Sequence, residues 1–183
     1  MLLIQSSRLK LRTLNESDNI NIFSYASNSE VSKFLNWDIH ADLNDTNNYL
    51  SRIILLAKKF PMNNLGIEVN FNNKNFIIGT VGLLPKNFSS PYTFELGYVL
   101  HHDWWGKGYA SEAVITLLKY GFINNDIQRV EAFCATENIK SWKLLEKIGM
   151  IREGTRRNFF YKNNNFQDVF MYSLLKSEWN SFA

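Results

Sequence analysis

"ELGYVLHHDWWGKGYASEA", residues 95–113, joins an alternating strand pattern to the start of a helix through two glycines one residue apart. Glycine has no β-carbon, so Gly106 and Gly108 let another body approach the main chain closely. A helix N-terminus adds unpaired N–H groups and a partial positive charge, which favour an anion. The stretch therefore predicts a pyrophosphate cradle of backbone N–H groups from Gly106 to Ala110. Other phosphate loops fit poorly. The dinucleotide fingerprint needs a third glycine where Ser111 stands, and no Gly-Lys-Ser/Thr occurs. A tight strand-to-helix turn is the plainer account of two glycines, so the flanking chain has to decide.

Downstream, Ala110, Ala113, Val114, Leu117, Leu118 and Gly121 recur at the spacing of one buried helix face. "RVEAFCA" (129–135) alternates as a strand, and "NIKSWKLLEKIG" (138–149) is a helix with an Asn cap and a Gly stop. "REGTRRNFFYK" (152–162) and "FQDVFMYSLL" (166–175) close the chain as two strands. Upstream, "RLKLRTL" (8–14) is a strand, and 16–26 and 45–60 have helical spacing, the latter stopped by Pro61. "LGIEVNF" (65–71) and "FIIGTVGLL" (76–84) pair across an Asn turn, and "YTFELGYVL" (92–100) leads into the glycines. The Asn-rich pieces 70–75 and 162–166 read as hairpin turns, because Asn tolerates left-handed backbone angles. The order predicts an α/β (α+β) protein whose mixed, partly antiparallel sheet is flanked by helices. No composition break, linker or repeat interrupts it, so residues 1–183 are expected to form a single domain.

Composition narrows the partners. A formal net charge of +3 suits an anionic small molecule and is too weak, without a Lys/Arg block, for nucleic acid. Cys134, the only cysteine, excludes an internal disulfide and reads as a small core residue. The opening "MLLIQSSRLKLR" is too short and lacks the basic start of a signal sequence, and apolar runs such as "IILLA" (53–57) cannot span a bilayer. A cytoplasmic protein without membrane contact is expected.

With "RVEAFCATENIKSWKLLEKIGM" (129–150) and "REGTRRNFFYKNNNFQDVFMYSLLKSEW" (152–179), the opening stretch resembles the GNAT superfamily of N-acetyltransferases. Within it, the chain is similar to the branch that includes ribosomal-protein N-terminal (alanine/serine) acetyltransferases. The resemblance runs from "SRLKLRTL" to "LLKSEW", strongest over 93–174 and weak over 16–62. It implies a GNAT-like acyl-CoA acyltransferase fold and acetyl-CoA as cosubstrate. Gly106, Lys107, Gly108, Tyr109 and Ala110 would then hold the pyrophosphate, and Tyr98, Val99 and Leu100 would pair with the pantetheine amides. Two departures stand out. Trp105 occupies the place where the family commonly has Gln or Arg, and Leu145 the place of a tyrosine that protonates the leaving thiolate. The branch's Asn-x-x-Ser pattern makes Ser141, accompanied by Asn138, the candidate replacement acid and a cofactor contact. Its plainer role is a first-turn helix serine bonded to its own backbone.

Acetyl transfer needs a neutral amine, donors for the oxyanion and a proton for the departing sulfur. The backbone N–H near Val99 is the expected oxyanion donor. Glu95, on the strand face shared with Gly97, and Glu68, between Ile67 and Val69, are the candidate bases, though solvent-facing acids are the commoner reading. Trp37 and Tyr98 are expected to wall the acceptor pocket, with core packing as the alternative. His101 and His102 should point to opposite sides of a strand end and lack ligand-spaced partners, so no metal is expected. The expected acceptor is a primary amine, a ribosomal or other protein N-terminus. A small polyamine or aminoglycoside-type amine, and a non-catalytic acyl-CoA-binding module, stay open, as does a homodimer.

Overall fold

A computed structural model describes residues 2–87, 90–162 and 164–179. The chain runs β1 (Leu3–Gln5), β2 (Lys10–Arg12), a 3-10 turn at Glu16–Asp18, α1 (Asn19–Ala26), α2 (Ser29–Ser32) and α3 (Leu43–Lys59). Then come β3 (Leu65–Phe71), β4 (Lys74–Asn87), β5 (Ser90–Leu100), a second 3-10 turn at His102–Trp104 and α4 (Tyr109–Asn124). It ends with β6 (Arg129–Ala135), α5 (Ile139–Lys147), β7 (Ile151–Lys162), β8 (Asn165–Leu175) and α6 (Lys176–Trp179). The strands hydrogen-bond in the order β1-β2-β3-β4-β5-β6-β8-β7. β5 and β6 run parallel, while β1/β2, β2/β3, β3/β4, β6/β8 and β7/β8 are antiparallel. The mixed sheet expected from the sequence is present. Contacts within the chain gather into two compact units, Met1–Leu84 with Gly97–Gly121 and Pro85–Leu96 with Phe122–Ala183.

In the first unit, α3 starts on Asp42, whose side chain accepts from the N–H groups of Asn44 and Asp45, and ends at Lys59, two residues before Pro61. Leu50 and Ile53 from α3 meet Ile22, Tyr25 and Ala26 from α1 in a core that also takes Leu14, just after β2, and Ile77 from β4. Asn72 and Asn73 both have positive φ (51° and 59°), the left-handed pair a two-residue hairpin turn demands. β1 was not foreseen: "RLKLRTL" shortens to Lys10–Arg12, and Leu3–Gln5 folds back to pair with it.

A polar clamp ties this unit together. Arg12 donates to both carboxylate oxygens of Asp18 (2.8 and 2.7 Å) and, through Nε, to Glu68 (2.6 Å). Its partners' side chains are only 6% and 10% exposed. The two acids raise the affinity of the guanidinium for its proton against the cost of burial. Gly79 of β4 meets a second constraint. A Cβ there would lie 2.1 Å from the Val99 carbonyl oxygen and 2.9 Å from Leu100 Cα, so only glycine lets β5 come this close.

In the second unit, Val130, Ala132 and Cys134 of β6 are buried, as are Leu145 and Ile148, and Tyr172 and Leu174 of β8. Lys86, Glu95, Arg129 and Glu131 stand on the other side of the strands, where Lys86 pairs with Glu131 and lies 3.8 Å from Glu95. Gly149 ends α5 with φ 89°. Asp168 accepts from the Asn158 N–H (2.8 Å) and so fixes an irregular step in β7. Of the turn expected at 162–166, Asn163 lies outside the described residues.

Candidate active site

The glycine loop leaves a row of donors uncovered. Gly106 and Gly108 have φ of 73° and 82°, the left-handed backbone that anion-binding loops use to present successive N–H groups. Among the described residues, no protein acceptor takes the N–H groups of Gly106 to Ser111. Helix α4 thus begins without a side-chain cap. A Cβ added at Gly106 would meet nothing within 4 Å, and one at Gly108 only Arg8 Nη2, at 3.4 Å. Open space, bare donors and a helix N-terminus fit a pyrophosphate. Lys107 folds back, its Nζ donating to the Asp103 carbonyl (2.8 Å), while Tyr109 stacks edge-on against Trp104.

Tyr98, Val99 and Leu100 form the end of β5 in the same unit, and Trp105 Nε1 donates to the Leu100 carbonyl (2.8 Å). Trp105, whose position cost the loop a side-chain donor, therefore pins strand to loop instead. Arg8, a plain strand residue by pattern, also reaches this loop. Its Nε donates to Glu112 (2.6 Å) and its Nη1 to the Lys107 carbonyl (3.2 Å), with the guanidinium 4.4 Å from the Tyr109 ring. Burial pushes the Glu112 carboxyl up, but hydrogen bonds from Ser6, Arg8 and Ser7 outweigh it and hold it below the usual carboxylate range. Glu112 is ionised at neutral pH.

In the second unit, Asn138 caps α5 by accepting from the Ser141 N–H (3.3 Å). Burial pushes the Cys134 thiol up to about 11, and the neighbouring Ser141 hydroxyl offsets this in part. Alongside, the Tyr172 hydroxyl donates to Glu146 (2.9 Å), and burial, then Glu146, hold that phenol protonated far above its ordinary range. Leu145, standing where the family's tyrosine is commonest, is a core residue 1% exposed. A hydroxyl, a thiol and a phenol are thus grouped where the sequence pointed to Ser141 alone.

The two candidate bases differ sharply. Glu68 is buried, and its Oε2 accepts from Arg12 Nε (2.6 Å). Glu95 keeps half its side chain in solvent, with Lys86 the nearest cation at 3.8 Å. Trp37 packs on the α1/α3 core with its ring 5.3 Å from His40, which bonds the buried Thr46 hydroxyl (2.9 Å). One expectation is corrected. His101 and His102 do not diverge, because β5 ends at Leu100 and the 3-10 turn stacks their rings 4.5 Å apart. His101 Nδ1 accepts from the Asp103 N–H (3.1 Å), and His102 Nε2 lies 3.1 Å from Asp103 Oδ1.

Bare main-chain donors at a helix N-terminus fit a phosphorylated ligand, and comparison with known proteins identifies the class of protein that carries them. The family described as "Acetyltransferase (GNAT) domain" matches residues 8–151. YnaD, an uncharacterized N-acetyltransferase of Bacillus subtilis, is 32% identical over 178 residues, spanning 97% of this chain and 99% of that one. The crystal structure of a GNAT-family acetyltransferase from Bacillus anthracis superposes with a TM-score of 0.85 at 30% identity, covering 97% of this chain and all of that one (100%). The chain belongs to the GNAT acetyltransferases. It is an N-acetyltransferase, of a family that uses acetyl-CoA.

Proposed function

We propose that the protein moves an acetyl group from acetyl-CoA to the α-amine of a protein N-terminus, by direct attack in a ternary complex, with residues 1–183 acting as one catalytic domain in the cytoplasm. The observation that carries the cofactor half is the run of unpartnered N–H groups from Gly106 to Ser111, which opens on two left-handed glycines. Acetyl-CoA, when bound, supplies the activated thioester. The chain's own residues do the rest. Gly106 to Ala110 hold the pyrophosphate, with Lys107 in reach of the same loop. The backbone of Tyr98, Val99 and Leu100 lines the pantetheine and supplies the oxyanion donor near Val99. Ser141, set by the Asn138 cap, protonates the departing sulfur. Glu95 takes the amine's proton, directly or through water, because it stands half exposed while Glu68 is buried against Arg12. Trp37 and Tyr98 wall the acceptor's path.

The acceptor rests on proton chemistry. An α-amine has a pKa of about 7.7–8.0 against about 10.4 for lysine, so far more of it is neutral near pH 7. Carboxylates as a class are weak bases, which suits the less basic amine. Relatives point both ways. The Escherichia coli ribosomal protein uS5-alanine N-acetyltransferase is 27% identical over 103 residues, and the Vibrio cholerae spermidine N(1)-acetyltransferase 28% over 103. The latter favours a second reading, a polyamine-type acceptor. Paired peptides separate them, one with a free N-terminus and no free lysine, the other blocked with a free lysine. Faster transfer to the first is expected. Preference for the lysine peptide overturns the reading, transfer to spermidine alone establishes the second, and no thiol release with any amine leaves a binding module.

Ser141→Ala is expected to lower kcat about a hundredfold, at the low end for loss of a general acid, while the affinity for acetyl-CoA changes little. Steady-state kinetics beside calorimetric titration would show the split. An undiminished kcat, with the loss appearing instead in Tyr172→Phe, would move the proton to the phenol.

A further inference from the structure

The loop expected to hold the pyrophosphate carries no committed positive side chain of its own. Trp105 is neutral, and Lys107 turns its Nζ to the Asp103 carbonyl. The first turn of α4 even places an acid, Glu112, beside the site, which would repel a phosphate. Arg8 answers both. The hairpin between β1 and β2 is gathered onto Glu112, which accepts from Ser6 Oγ (2.8 Å), Ser7 Oγ (3.0 Å) and the Arg8 N–H (2.9 Å). This places the Arg8 guanidinium over the loop, where Nε bonds Glu112, Nη1 bonds the Lys107 carbonyl and the plane covers Tyr109. Among the described residues, Nη2 has no protein acceptor, and it lies 3.4 Å from the position of a Cβ on Gly108.

We propose that Arg8 is a phosphate-binding residue of the acyl-CoA site, its Nη2 donating to a pyrophosphate oxygen seated on the Gly106–Ala110 main chain. The proposal rests on the acetyl-CoA reading above and adds a residue to it from a distant part of the chain. Three restraints fix the side chain before a ligand arrives, so little rotamer freedom is lost on binding. The remaining N–H groups point the fork of a permanently charged group at the cradle. Glu112 then acts as the positioning residue, and its own charge is cancelled by the arginine it holds.

The test compares the wild type with Arg8→Gln and Arg8→Lys, titrated with CoA, dephospho-CoA and S-acetylpantetheine. Arg8→Gln should weaken CoA and dephospho-CoA alike, by about tenfold or more, leave S-acetylpantetheine unchanged, and be partly rescued in Arg8→Lys. Unchanged CoA affinity in Arg8→Gln overturns the proposal while leaving the acetyl-CoA reading intact. Weakening of CoA alone would assign Arg8 to the 3′-phosphate and overturn the pyrophosphate contact. Equal weakening of S-acetylpantetheine would reduce Arg8 to a structural tie. A wild type that binds no CoA defeats both readings. Should Arg8→Gln fail to fold, phenylglyoxal modification of the wild type decides. CoA and inorganic pyrophosphate should protect the Arg8 peptide and adenosine should not, and an unprotected Arg8 overturns the proposal.

Discussion

Arg12→Ala is expected to cost about 3–5 kcal/mol of stability, the usual range when one partner of a buried ion pair is removed. For a chain of this size that corresponds to a fall in Tm of roughly 6–20 °C. Arg12 offers three hydrogen bonds to Asp18 and Glu68, and neither acid has another cation recorded within salt-bridge distance. Without it, two buried carboxylates must either stay charged in a poor dielectric or take up protons. The loss spreads further, because Asp18 also accepts from the Asn15 N–H and so anchors the entry to α1. Thermal and urea unfolding would measure it. The triple change Arg12→Met, Asp18→Asn, Glu68→Gln should recover part of the loss, since removing the charges together avoids the orphaned acids. A cost below about 1 kcal/mol, the value of a surface pair, would mean the cluster is not functionally buried.

Gly108→Val is expected to weaken CoA binding more than about a hundredfold, an estimate that adds lost hydrogen bonds to backbone strain. Valine is β-branched, and φ of 82° is a conformation it rarely adopts, so relief of strain would pull the loop away from its donor-presenting shape. Its methyl groups would also press on Arg8 Nη2 and project into the cradle. Gly106→Ala makes the instructive contrast. It carries similar strain at φ 73° but meets no neighbour, so its effect on affinity should be smaller. Isothermal titration of both variants, with melting curves to separate local strain from unfolding, gives the comparison. Equal affinity in wild type and Gly108→Val would remove the pyrophosphate from this loop.

What could be read in advance was whatever depends on neighbours along the chain. β6 occupies 129–135 as its alternation foretold, the Asn72–Asn73 turn takes its left-handed angles, and Asn138 caps α5. The failures are long-range. Glu68 has an unremarkable strand environment until Arg12, 56 residues away, closes on it. Arg8 reads as an ordinary strand residue because its partner Glu112 lies 104 residues on. β1 is three residues long and has meaning only as the partner of β2. The histidine pair was misjudged for a local reason: strand alternation was carried past Leu100, where the backbone has already turned. One hint could have led to Arg8. A phosphate loop with Trp105 in place of a polar residue implies a cation supplied from elsewhere.

The single thiol has a use of its own. Cys134 lies on β6, buried beside Ser141 of α5 and reluctant to ionise, so a thiol reagent should modify it slowly while the helix is seated. Its labelling rate is then set by how often α5 lifts, and comparison with the fully unfolded chain converts that rate into the free energy of local opening. The chain thus carries a built-in clock for the breathing of the very helix that holds Ser141, readable with no added probe and no second cysteine to confuse it.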